Sequence, residues 1–207
     1  MRDDAELIRE ERFSTILTRI KAASETGDIT LRELVALFGP RGHAFLTLFL
    51  VLPFMQPIPI PGVSTLLGLM MAMAGFFMMR GRPPWVPERF AHVRIEKHFL
   101  LRVGKALESL LVRLERVVRP RGIHMFSRPW FRMANGFLLL SHGLLLSLPL
   151  PIPFSNFLPA MVLFLIALGS LEEDVVVIAA GYTATVANAI FFALIALAPM
   201  YAAHRLA

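Results

Sequence analysis

The side chains able to do chemistry in this 207-residue chain are few, and most of them border apolar sequence. Pro57, Pro59 and Pro61 form a PxPxP run followed by Ser64, and Pro149, Pro151 and Pro153 form a second run followed by Asn156. With Ile60 and Ile152, five positions correspond at a constant separation of 92 residues. Proline lacks an N–H and clashes with the preceding turn, so neither run continues an α-helix. Each favours an extended, polyproline-like path whose carbonyls are tolerated at membrane depth only under protein or a watery cavity. Helices resuming after the breaks direct their positive dipole ends at the gap, and Ser64 and Asn156 are well-placed N-caps for them. The chemistry indicated is non-covalent: a central site for an anionic or strongly polar group, built at broken helices in two matching halves. The alternative is that the prolines only shape tight turns and the caps only start helices.

Covalent chemistry has little support. The six histidines are scattered, and His92-x3-Glu96-x-His98 lies in an arginine-rich connector, where it reads as a solvated helix face rather than a metal site. There is no Walker loop, nucleophile elbow or Rossmann glycine pattern. The absence of cysteine excludes disulfides, thiolate metal sites and cysteine nucleophiles. No catalytic residue, metal or cofactor is expected, and the chain does not read as an enzyme. His43 and His142 sit inside apolar sequence with no carboxylate near them in the chain. Asp174, with Glu172 and Glu173, supplies the only acids beside the apolar blocks, and the triplet reads as an interfacial stop. The lack of carboxylates within the blocks counts against ordinary proton-coupled exchange.

The elements that must position these residues are membrane elements. The chain is 56% hydrophobic with a mean hydropathy of +0.64. No Asp, Glu, Lys or Arg occurs in 43–79, 133–171 or 175–203, runs of 37, 39 and 29 residues. Runs of about 18 or more apolar residues read as membrane-inserted. The expected fold is an all-α integral membrane protein with two internal repeats of proline-broken helical hairpins, a C-terminal transmembrane helix and cytoplasmic amphipathic helices. Its segments are 1–42, a helical N-terminal segment; 43–79, the first hairpin; 80–132, a basic connector; 133–171, the second hairpin; and 172–207, the C-terminal helix. The hairpin halves 43–56, 62–79, 133–148 and 154–171 would span roughly 21, 27, 24 and 27 Å, against a hydrocarbon core of about 30 Å. They are therefore either re-entrant or cramped spanning helices.

Within the N-terminal segment, 3–23 suits an amphipathic helix, and Thr30-Leu-Arg-Glu33 is a capping box opening a second helix that should stop at Gly39-Pro40. The connector carries thirteen Lys/Arg against four Asp/Glu and should be cytoplasmic by the positive-inside rule. Its amphipathic stretch, with Arg113, Arg116, Arg119 and then Arg121, would lie either on anionic lipid or on the protein's own cytoplasmic surface. Sparse aromatics argue against a nucleic-acid partner. If both blocks return to the cytoplasm, Arg205 lies outside. Asn188, Thr183 and Thr185 should face protein rather than lipid. Two short hairpins cannot by themselves cover two stretches of unpaired backbone, so a homodimer or larger assembly is expected, with Gly68, Gly75, Gly136 and Gly143 allowing close approach.

The runs "LFGPRG", "PIPIPG", "PPWVP", "RLERVVRPR", "PLPIPFSNFLPA" and "ALGSLEED" resemble, in order and spacing, the ExoD family of bacterial inner-membrane proteins, over about Thr30 to Ala196. The resemblance implies a multi-pass protein of the bacterial inner membrane linked to exopolysaccharide synthesis and tolerance of alkaline conditions. The family pattern falls on Arg41, Gly42, Trp85, Pro87, Glu115, Arg116, Pro120, Arg121, Pro159 and Asp174, besides the paired prolines, Gly62 and Asn156. Val175 departs from it, which should loosen the turn after Asp174. Two function classes follow. One is a transporter or translocation component for an anionic or lipid-linked precursor, or for an ion; the other is a non-transporting accessory protein that organises a synthesis complex.

Overall fold

The computed structural model describes residues 29–55, 63–84, 86, 88–92, 94–95, 121–148 and 154–206. The expected helix over 3–23, both PxPxP runs, and the connector stretch with Arg113, Arg116 and Arg119 lie outside the described residues. The described chain is helical, apart from a two-residue antiparallel pairing of β1 (Ile29–Thr30) with β2 (Arg94–Ile95).

Helix α1 (Leu31–Leu37) opens on the capping box, with the Thr30 side chain accepting from the Glu33 N–H and the Glu33 carboxylate accepting from the Thr30 N–H at 2.8 Å. The Thr30 N–H, and after it the Thr30 hydroxyl that also donates to the carboxylate at 2.8 Å, hold the Glu33 carboxyl below the usual carboxylate range. The helix stops where the sequence places Gly39-Pro40, in a 3-10 turn over Gly39–Arg41. Helix α2 (Gly42–Val51) tightens into a second 3-10 turn, Leu52–Met55, and α3 (Val63–Met79) follows the first proline run. After the short α4 (Glu88–Ala91) and α5 (Ile123–Phe126), α6 (Pro129–Ser147) and α7 (Phe157–Glu172) flank the second run, and α8 (Val175–Leu206) completes the chain.

The hairpins interlock: α3 packs on α6, and α2 packs on α7. The α3–α6 seam is antiparallel and made of glycine, with Gly68 opposite Gly143 and Gly75 opposite Gly136. A Cβ added at Gly68 would lie 2.7 Å from the Gly143 carbonyl oxygen, and one at Gly136 would lie 2.8 Å from that of Gly75. Backbones this close gain dispersion contact along the whole seam. The four glycines expected to join two copies are therefore used inside one chain. The positions 92 residues from those glycines are Ala44 and Val51 on α2 and Ala160 and Ala167 on α7, all buried.

Helix α8 packs along α7 through its first turns and then emerges. Val186, Ile190, Leu194 and Leu197 are each more than half exposed. Among the described residues, Val175–Leu197 is the one helix long and apolar enough to cross a membrane, and most of it is not buried; Gly42–Met55, Ser64–Met79 and Phe157–Glu172 are apolar but shorter. Asn188 is buried and Thr185 half-buried, as expected. Thr183 is exposed instead, and its hydroxyl donates to the Ala179 carbonyl at 3.0 Å, so its exposure leaves no polar group unpaired.

Candidate functional site

Helices α3 and α7 end in the same way. Gly81 and Glu173 take left-handed conformations, with φ 64° and 55°. The next residue's N–H then reaches five residues back, from Arg82 to the Phe77 carbonyl at 3.0 Å and from Asp174 to the Gly169 carbonyl at 2.9 Å. These two ends, with the starts of α2 and α6, surround a cavity of about 420 Å³ lined by 39–44, 78–84, 126–135 and 170–173 in part. These four helix ends therefore meet at one end of the bundle.

The polar lining is basic and underpaired. Arg41, Arg82 and Arg132 face it with Glu173, and Arg41 pairs with Glu173 at 2.8 Å. Three buried side-chain atoms on the lining, His43 Nε2, Asn135 Nδ2 and Ser170 Oγ, have no hydrogen-bond partner. Their residues are 6%, 1% and 9% exposed. The Tyr182 hydroxyl donates to Asn135 Oδ1 at 2.8 Å, which leaves the buried amide Nδ2 without an acceptor among the described residues. Buried polar atoms are normally paired, so three together on one cavity mark it as built for something polar. Phe126, Phe131, Met78, Pro83 and Pro84 supply the apolar walls.

Of the residues singled out by sequence, Arg41 lines this cavity. Asp174, fully buried, caps α8: its Oδ1 accepts from the Val176 N–H at 2.8 Å. The Val175 N–H donates to the Arg121 carbonyl at 3.1 Å, so the turn after Asp174 is closed despite the departure at Val175. Arg121 keeps an exposed side chain. Ser64 and Asn156 lie at the other end. Ser64 is buried one residue inside α3 rather than before it, and Asn156 holds the N-cap position of α7 without a side-chain capping bond. Pro57, Pro59, Pro61, Pro149, Pro151 and Pro153 are outside the described residues. Sequence reading missed Asn135, Ser170, Arg82 and Arg132. The available signal was the separation of 92, which pairs His43 with Asn135, and Arg82 with Asp174.

A family model described as "Exopolysaccharide synthesis, ExoD" matches residues 13–194, which include the whole cavity lining. The chain belongs to the ExoD family. Protein ExoD of Rhizobium meliloti (strain 1021) is similar over 195 residues at 34% identity, covering 94% of this chain and 81% of that protein. An uncharacterized protein of Synechocystis sp. is 29% identical over 154 residues, covering 74% of this chain and 72% of its own length. No solved structure matches the chain. The ExoD family is thereby linked to exopolysaccharide synthesis, and in this ExoD-family chain the polar cavity at the hairpin ends is the feature with chemical capacity.

Proposed function

We propose that this ExoD-family chain is a multi-pass inner-membrane protein that serves exopolysaccharide synthesis as a transporter or translocation component. The observation that carries the reading is the cavity at the converging helix ends, whose lining includes three residues that each hold an unpartnered buried polar atom. A bundle that only filled space would favour apolar side chains there. The reading of two internal repeats is supported by helical segments that end at Met55 and Ser147, by the matched left-handed ends at Gly81 and Glu173, and by buried Ala44, Val51, Ala160 and Ala167 at the positions that match the seam glycines. Hairpin helices shorter than a full span then suit re-entrant or tilted elements, whose outer faces are covered by lipid and by further copies of the chain. Arginines at the open ends, Arg41, Arg80, Arg82, Arg128 and Arg132, favour a cytoplasmic cavity.

The proline runs stay an alternative place for the central site. The test is reconstitution of the purified chain in liposomes and measurement of flux for phosphorylated and acidic saccharide precursors. Protein-dependent flux abolished by Ser170→Val supports the reading, and its absence for every precursor in an oriented preparation favours the accessory role.

A further inference from the structure

We infer that the cavity binds a phosphoryl-type dianion, carried on a small soluble molecule or on a lipid headgroup. The inference rests on the reading above and names the ligand class of the same site. It follows from how the two hairpins differ. At the end of α7 the sequence is Glu173-Asp174; at the matching end of α3 it is Gly81-Arg82. The charge is reversed between otherwise equivalent corners. In one corner Arg41 meets Glu173 at 2.8 Å and is neutralised. In the other the guanidinium of Arg132 covers Gly81, where a Cβ would lie 2.9 Å from Nη2. Among the described residues no carboxylate pairs with Arg82 or Arg132.

The lining therefore holds two exposed guanidinium groups, Arg82 and Arg132, that no described carboxylate pairs, beside Asn135, Ser170 and His43 with their unpartnered buried polar atoms. A cation would be repelled, and a neutral sugar would make no use of the two positive charges. A phosphoryl group supplies a charge of about −1.5 to −2 and three acceptor oxygens, and it matches the planar fork of arginine. The 420 Å³ volume leaves room for the rest of a small polar head, with Phe131 as an apolar wall.

The full chain purified in detergent would be titrated calorimetrically with inorganic pyrophosphate. In a parallel arm it would be assayed for binding to phosphatidylcholine vesicles with and without phosphatidate. Saturable binding of pyrophosphate indicates a soluble source, and binding confined to phosphatidate-containing vesicles indicates a lipid headgroup; either supports the inference. The R82Q/R132Q pair should lower affinity at least about tenfold, the scale of a lost charge-assisted hydrogen bond. Ser170→Ala should leave the Tm of the ligand-free protein unchanged or raised, because it removes an unpaired buried hydroxyl, yet weaken binding several-fold. Arg128→Gln, which removes the same charge from an exposed position outside the lining, should leave affinity unchanged at fixed salt. The inference is overturned by no saturable binding in either arm, by R128Q acting as strongly as R82Q/R132Q, or by unaltered affinity in S170A. Binding without flux would remove the transport reading alone, and flux indifferent to the cavity variants would remove this inference alone.

Discussion

Arg41, at the start of the first hairpin, and Glu173, at the end of the second, meet at 2.8 Å with side chains only 22% and 16% exposed. The pair ties together two points far apart in sequence at the rim of the polar cavity. Arg41→Met should destabilise the fold by about 1–3 kcal/mol, because a largely desolvated carboxylate loses its guanidinium. Removing both partners should cost less than the sum of the single losses. A double-mutant cycle on thermal denaturation in detergent measures this coupling, and strict additivity would show that the pair contributes nothing.

The glycine seam makes a sharper stability prediction. Gly75→Leu or Gly136→Leu drives a side chain into the backbone of the facing helix, which cannot yield as a flexible side chain can. The loss should exceed the roughly 1–3 kcal/mol usual for overpacking, and folded protein should be scarce. Fluorescence-detected size exclusion of tagged variants reports it. Normal amounts of well-folded Gly75→Leu protein would mean that α3 and α6 do not approach this closely.

Asp174 acts here as a helix cap. Asp174→Ala should lower stability by about 1 kcal/mol, whereas Asp174→Asn or Asp174→Ser should retain most of it, since either side chain accepts from the Val176 N–H. Thermal melts of the three variants separate capping from a role that needs the negative charge. In the latter case Asp174→Asn fails as badly as alanine.

Topology is open to direct labelling, because the chain has no native cysteine to remove. Cysteine at Arg82 should react with an impermeant maleimide only after the cytoplasmic side is opened, and cysteine at Arg205 should react in intact spheroplasts. The reverse pattern would invert the placement of the cavity.

Much of the architecture was legible in the sequence because its causes are local. The apolar blocks pointed to an all-helical chain, and Thr30 with Glu33 marked the start of α1 to the residue. The glycines were legible as a close-contact surface but not as to partner, since periodicity does not say whether the facing helix belongs to the same chain. The cavity was not legible. Its residues come from four helix ends, and neither Asn135 nor Ser170 belongs to a local motif; what marks them is the lack of a partner once the fold has buried them. Ser64 and Asn156 carried the stronger local signal, and the fold places them at the other end.

That contrast supplies the most direct test of the central claim, that function resides in the cavity at the hairpin ends. Surface polysaccharide would be quantified in a strain lacking its own ExoD-family protein and complemented with Asn135→Leu, Ser170→Val, Ser64→Ala or Asn156→Ala, with membrane abundance of each measured in parallel. The account predicts that Asn135→Leu and Ser170→Val lose polysaccharide at normal abundance, while Ser64→Ala and Asn156→Ala retain it. Full activity of the two cavity variants, with loss confined to Ser64→Ala and Asn156→Ala, would contradict it and return the site to the proline runs.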